Sequence, residues 1–441
     1  MRFKGVVRAL VLVPWLFAAC ALLAAGPPPT SFSLDQAKEA ALERNWDLLA
    51  AKSGIDAAAA QLIVSKEIPN PTASWSTAKI GTHDASTVLG NGLWERSYDT
   101  IFAVNQLIEI GGKRRHRQEA ARAGVLGARA RFYDAKRTLD QGVTKAYIAA
   151  LLAGENAWIL NESAGLLQHE ARIAQDRHHA GDLSESDVKQ IEINAEQFQL
   201  QAKSAEAAAV QARIAVEVLM GFPRPAGNWI PSDSMERLVQ SSAPSIPTAS
   251  GDAVRPDVLA AEADVRGARA ELKLQKSMRV PDPTLTIGAE HNPPGGGPAV
   301  DTVLLGITFP LPLWNQNGGN IKAAEASVDQ FEWAAGKVNT QMAADLANAE
   351  SAYGEAHARW LSYRDQTAPK SRTVRDSVEF AYQKGGASLV DLLNAEQTDN
   401  TIRLALAQAM SDTASASADL VAARNLLSPA ELAAGKLEKR P

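Results

Sequence analysis

The sequence predicts a mainly α-helical chain that also carries strands of a β-barrel. Each protomer has two similar halves, and three copies form a trimer with a 12-stranded β-barrel on a long α-helical barrel. Three observations lead there: the chain nearly repeats itself, each half holds a very long helical stretch, and each half has only two short strands.

Asn45-Trp46-Asp47-Leu48-Leu49-Ala50-Ala51 returns as Arg255-Pro256-Asp257-Val258-Leu259-Ala260-Ala261, and Pro69-Asn70-Pro71-Thr72 returns as Pro281-Asp282-Pro283-Thr284. Gly111-Gly112 returns as Gly318-Gly319, and Gly181-x-x-Ser184-x-x-Asp187 as Gly385-x-x-Ser388-x-x-Asp391. The offsets of 210, 212, 207 and 204 residues keep one order. Solenoids repeat every 20 to 50 residues or so, so this spacing means two large half-units.

Arg2, Lys4 and Arg8 precede an apolar run from Ala9 to Ala25 that ends before Pro27-Pro28-Pro29. That is the shape of a secretory signal peptide over residues 1–26; the alternative, a membrane anchor, needs about 20 apolar residues. Cys20, the only cysteine, follows Phe17-Ala18-Ala19 in a setting that resembles a lipoprotein cleavage site. Cys20 either receives lipid or leaves with the signal. Both readings leave the rest of the chain without thiols for disulfides or thiolate metal sites. A net charge of −5, with acids and bases mixed, gives nucleic acid no footprint.

The first repeat covers residues 33–220. A helix is predicted from Leu34 to Lys66, alanine-rich with apolar residues at three-to-four spacing, ended by Pro69 and Pro71. Residues 72–80 and 98–108 read as strands around a Gly/Asn loop. From Gly112 to Gly181 there is no proline, and at 1.5 Å per residue that stretch spans about 100 Å. A return helix follows from Glu185 to Met220. Residues 221–252 are a proline-rich equatorial linker. The second repeat, 253–427, has strands at 284–290 and 301–310, a long helix from Gly319 to Gly385 interrupted only by Pro369, and a return helix from Leu389 to Leu426. Residues 428–441 are a tail. Leu285, Ile287 and Ala289 alternate with Thr286, Gly288 and Glu290, as a wall with one apolar and one wet face does.

Four strands cannot close a barrel, and an open sheet edge in lipid leaves backbone groups unpaired. Other copies of the chain must complete it, and three copies give twelve strands, an even number inside the known range. The same ring arranges the long helices as a hollow tube, a conduit in form.

Three motifs then carry a resemblance. They are Gln106-Leu-Ile-Glu-Ile-Gly-Gly-Lys113-Arg114, Pro310-Leu-Pro-Leu-Trp314-Asn-Gln-Asn-Gly-Gly319 and Tyr382-Gln-Lys-Gly385-Gly-Ala-Ser388-Leu-Val-Asp391-Leu-Leu-Asn394-Ala-Glu396-Gln-Thr398. With them the chain resembles the TolC family of outer-membrane efflux channels over essentially its whole mature length, and the first two are similar to the CzcC branch of cobalt–zinc–cadmium-type export systems. The resemblance implies a TolC-like homotrimer with its 12-stranded barrel in outer-membrane lipid and its long α-helical barrel across the periplasm, a periplasmic adaptor (membrane fusion protein) and an inner-membrane pump of the RND class. It implies no cofactor and an exit duct for heavy-metal cations; a drug-efflux or type I secretion duct of the same fold is the alternative.

At the far ends of the tube, Gly181, Ser184 and Asp187, and Gly385, Ser388 and Asp391, read as helix stop, N-cap and capping partner. For Asp391 a second reading competes: the family has an acidic position here at the closed mouth, and three carboxylates in a ring favour cations. The family's next acidic position corresponds to Asn394 and its turn arginine to Ala387, so the resemblance carries over neither a second acidic ring nor the gate lock; Asn394 and Asp187 stay with Asp391 as candidates for the pore and gate. Tyr382 matches a gate-tyrosine position. The turn residues Asp182, Leu183, Gly386, Ala387 and Leu389, with Gly181, Ser184, Gly385 and Ser388, are candidates for adaptor contact or simply tight turns.

Lys113-Arg114-Arg115-His116-Arg117 opens a helix, where the macrodipole disfavours positive charge. Lys113, Arg114, Arg115 and Arg117 are therefore candidates for lipid headgroups, with a solvated helix start as the alternative. Seven histidines, with only His178-His179 close together, give no metal site. His83-Asp84 and His291 fall in outer loops, and Trp75, Trp94 and Trp314 are candidates for interfacial girdles. An adaptor would carry a compact β domain around one hairpin; here strands sit between helices twice. A hydrolase is excluded by the lack of GxSxG, HExxH or a cysteine nucleophile.

Overall fold

Ser33 opens the first helix with a capping box: its hydroxyl accepts from the Gln36 N–H while the Gln36 side chain takes the Ser33 N–H. The structure is a computed structural model that describes residues 31–78, 98–241, 254–292 and 300–427. The single helix expected from Leu34 to Lys66 is two helices, α1 (Leu34–Arg44) and α2 (Trp46–Lys66). Asn45 takes extended backbone between them and its side chain caps α2 by accepting from the Asp47 and Leu48 N–H groups. Strands β2 (Thr72–Ala78) and β3 (Tyr98–Leu107) follow; β1 is the two-residue strand Ser31–Phe32. Then come the 67-residue helix α3 (Lys113–His179) and its return helix α4 (Glu185–Leu219).

The described part of the linker, residues 221–241, holds two short elements. Ile230–Pro231 forms β4, parallel to β1, and Met235–Ser241 forms α5. At its start Gly221 sits at φ +74°, and a Cβ there would lie 2.4 Å from the Arg44 carbonyl oxygen, so glycine alone fits this turn.

The second half repeats the order with α6 (Pro256–Ser277), β5 (Thr284–Asn292), β6 (Val300–Thr308), α7 (Gly318–Ser362), α8 (Ala368–Gln383) and α9 (Leu389–Ala423). Between α7 and α8 the helix widens into a π-turn, Tyr363–Thr367, in which the Ala368 N–H reaches back five residues to the Tyr363 carbonyl. Pro369 has no N–H to continue the ordinary ladder, so the turn ends where proline tolerates it.

One antiparallel sheet holds four strands in the order β2-β3-β5-β6, so the hairpins of the two halves join through β3 and β5. Near the junction with the sheet the helices stand side by side as α2-α3-α6-α7; at the far end the order is α4-α3-α9-α8. Helix α3 runs through both. The segment of β1, β4 and α5 adds a second layer on one face of this wall. Its core is Phe32, Tyr147, Trp229, Val143, Val216 and Met220, all buried. The Tyr147 hydroxyl donates to the Phe32 carbonyl at 2.8 Å and accepts from the Asp233 N–H at 3.3 Å, and burial pushes its pKa up to about 12.

Candidate functional site

The sheet has two chemically different faces. In register, Trp75, Phe102, Ala289 and Val303 form one row, and Ala73, Val104, Ile287 and Leu305 the next, on the same face. Trp75, Phe102, Val104, Ile287, Val303, Leu305 and Ile307 are all more than half exposed. The opposite face carries Ser74, Asn105 and Thr286, linked by hydrogen bonds of 2.9 Å (Asn105 to Ser74) and 2.8 Å (Thr286 to Asn105). A sheet that shows its apolar side and ties up its polar side fits lipid on one face and water on the other.

Helix α3 is two-faced as well. Tyr147, which holds the added layer, lies opposite the exposed, heptad-spaced Arg131, Thr138 and Lys145. Two of them meet acids on neighbouring helices: Arg131 reaches Asp264 at 2.5 Å and Lys145 reaches Asp419 at 2.9 Å.

At the far end the two turns are alike. Gly181 and Gly385 take left-handed φ of +88° and +76°. Ser184 caps α4 and donates to Asp187 at 2.7 Å. Ser388 caps α9 in a full capping box, donating to Asp391 at 2.6 Å. The hydroxyl and backbone N–H of Ser388 hold the Asp391 carboxyl below the usual aspartate range. Asp391 and Asn394 are exposed. Leu389 is buried, and Leu183 and Ala387 pack against the same core with Leu167, Val188, Ile191 and Leu392. These three shape the turn; Gly181, Asp182, Ser184, Gly385, Gly386 and Ser388 form its exposed surface.

Tyr382 is buried in that core, and Arg177 of α3 stands over its ring. Around them Glu170 of α3, Glu379 of α8 and Glu396 of α9 converge without a salt bridge to a described residue. Burial pushes the Glu396 and Glu170 carboxyls above their ordinary value, and mutual repulsion adds to it. Nearby Arg375 is taken by Asp376 at 2.6 Å and the buried Asp399 at 3.1 Å. Sequence reasoning missed Arg177 and the three glutamates, because only tertiary contact brings them together.

The basic run that opens α3 separates. Lys113 is buried 2.7 Å from Asp282, Arg117 pairs with Glu109 at 2.6 Å, and Arg114 donates to the Lys66 carbonyl at 2.5 Å. Arg115 stays 72% exposed. His291 pairs with Asp301 at 2.6 Å on the sheet's apolar face, and Trp314 is exposed. Among the described residues no group of three or more His, Cys, Asp or Glu is placed to hold a metal ion. Cys20, His83, Asp84 and Trp94 lie outside the described residues.

Residues 38–222 and 252–425 match the model of the family described as outer membrane efflux protein. The chain is 24% identical over 385 residues to the cobalt-zinc-cadmium resistance protein CzcC of Cupriavidus metallidurans, covering 85% of this chain and 84% of that one. It is 23% identical over 405 residues to the pyoverdine export outer membrane protein OpmQ of Pseudomonas putida, covering 86% and 84%. In fold it is similar to the CmeC outer membrane channel of Campylobacter jejuni, with a TM-score of 0.71 at 19% identity over 89% of this chain and 85% of that one. The chain belongs to the outer membrane efflux protein family and is one of its TolC-like outer-membrane channels.

Proposed function

We propose that three copies of this chain close into a passive exit duct for heavy-metal cations, served by a periplasmic adaptor and an RND-type inner-membrane pump. The observation that carries the ring is the pair of open edges. Strands β2 and β6 end the sheet, α2 and α7 end the helical wall above, and α4 and α8 end it below. Helix α2 is apolar along its length yet only 11% of its most apolar stretch is buried, as an edge awaiting a second copy would be. Each protomer contributes both repeats, 33–220 and 253–427, with residues 221–241 of the linker as an outer belt. The added layer belongs outside, since inside it would fill the bore.

The metal cargo is supported by the likeness to CzcC, whose name is that of a cobalt-zinc-cadmium resistance protein. In this reading the turns at Gly181–Ser184 and Gly385–Ser388 meet the adaptor, and Asp391 lines the mouth. A second reading, an organic-cargo duct, is favoured by the likeness to OpmQ, named for pyoverdine export. Deleting the gene in its native host and restoring it decides between them. The metal duct predicts sensitivity to zinc, cobalt, cadmium, nickel or copper with unchanged drug tolerance. Sensitivity to dyes and antibiotics alone would contradict it while leaving the ring intact.

A further inference from the structure

The outward basic surface under the sheet is larger than the run at Lys113–Arg117, and most of it comes from α6. Exposed residues on α6 form one stripe, Glu262, Arg266, Arg269, Lys273 and Lys276, spaced alternately by four and three. Arg266, Arg269 and Lys273 join Glu119, Arg122 and Leu126 of α3 around a groove of about 340 Å³. Arg122, Arg266 and Lys273 make no hydrogen bond or salt bridge with any described residue. Arg269 and Lys276 are held only by exposed pairs, to Glu332 at 2.7 Å and Glu325 at 3.2 Å. Arg115 lies 3.7 Å from Glu119. Exposed pairs of this kind are worth about 0–1 kcal/mol and leave the cations available.

Met278 and Val280, 46% and 41% exposed, follow the stripe in the chain and lead from α6 towards β5 at Thr284. At 1.5 Å per residue, Lys276 and Lys273 lie about 3 and 8 Å below Met278 and Arg269 about 14 Å below. The polar layer of a bilayer is about 5–8 Å deep on each side. Long basic side chains extend upward into it, and its potential reaches about 8 Å beyond. The face is the right one. Glu119 and Leu126 stand whole heptads from Tyr147, which carries the belt, so in a supercoiled helix they share its side. Arg131, Thr138 and Lys145 occupy the opposite side.

We infer that this groove and stripe seat the phosphodiester headgroups of anionic phospholipids in the inner leaflet of the outer membrane. The inference rests on the proposed barrel ring with its belt outside. Six cations (Arg115, Arg122, Arg266, Arg269, Lys273, Lys276) face four carboxylates (Glu119, Glu262, Glu325, Glu332) there, so the surface keeps a positive excess that complements a negative sheet of headgroups and discriminates against zwitterionic ones.

The test uses the purified full chain in detergent, with diheptanoyl-phosphatidylglycerol, diheptanoyl-phosphatidylcholine or inorganic phosphate added at equal concentration. Phosphatidylglycerol is expected to raise the unfolding temperature by on the order of 3 °C. The shift should fade at high salt and vanish in the triple variant R122Q/R266Q/K273Q. Equal shifts from the two lipids, or a shift kept by the triple variant, would overturn the inference; an equal shift from inorganic phosphate would make this an anion site without a lipid role. A control separates this from the barrel reading. In bilayers with brominated acyl chains, wild-type fluorescence should be quenched more than that of Trp75→Phe. Loss of that difference defeats the barrel itself, whereas its presence without a phosphatidylglycerol effect defeats the headgroup seat alone.

Discussion

The guanidinium of Arg177 stands 5.4 Å from the centre of the Tyr382 ring and so ties α3 of the first hairpin to α8 of the second, just above both turns. Tyr382 is 7% exposed, and burial raises its hydroxyl pKa while Arg177 partly offsets the rise. Tyr382→Ala should open a cavity costing about 3 kcal/mol in the tip core, and Arg177→Gln should remove about 1 kcal/mol of cation–π attraction. Both should raise resting conductance in planar bilayers, with Tyr382→Ala the stronger and Tyr382→Phe near wild type. Equal conductance in all three variants would separate this contact from the closed state.

Asp391 is exposed, and its carboxylate is stabilised by Ser388. A depressed pKa means the capping contact is complete above the ordinary aspartate range and is lost as pH falls through the lowered value. The Asp391 carboxylate therefore stays ionised at neutral pH. Asp391→Ala should raise conductance or weaken cation preference, read as a shift in reversal potential under a salt gradient, and Asn394→Asp should strengthen that preference. Unchanged traces for both variants would remove this end of α9 from the pore.

Glu396 has the opposite sign. Burial raises its pKa, and Glu379, Asp399 and Glu170 add repulsion while Arg375 opposes it. Glu170 is raised by burial and by Glu379, with His169 and Arg177 opposing. The packed tip thus binds protons more tightly than separated hairpins do. Its packing is favoured at acid pH and weakens as pH rises through the raised values. Resting open probability should therefore be lower at pH 5 than at pH 7.5, and Glu396→Gln should flatten the difference. A variant that keeps the full pH dependence would place the sensor elsewhere.

Much of this was written locally in the chain. Alternating side chains at Leu285–Glu290 and paired Gly-x-x-Ser-x-x-Asp turns set strands and tips, because strand faces and helix caps depend on neighbours two to four residues apart. The place of Asn45 before Trp46-Asp47 is a helix-start signal, masked by the apolar spacing that runs across it from Leu34 to Lys66. The pairing of Ser31–Phe32 with Ile230–Pro231 joins two-residue strands about 200 positions apart, too short for any periodicity to show. The run at Lys113–Arg117 drew attention by density, yet two of its charges are spent on Asp282 and Glu109. The cations of α6, spaced three and four apart, gained meaning only once their common face was known.

In the proposed ring the open edges of one protomer are closed by two further copies. The most direct measurement is native mass spectrometry of the full chain extracted from the outer membrane in mild detergent. Three times the mass of the processed chain, in a particle that resists dissociation until heated, is the predicted result. A monomer that keeps its β-structure in the same detergent would contradict the ring, and with it the duct.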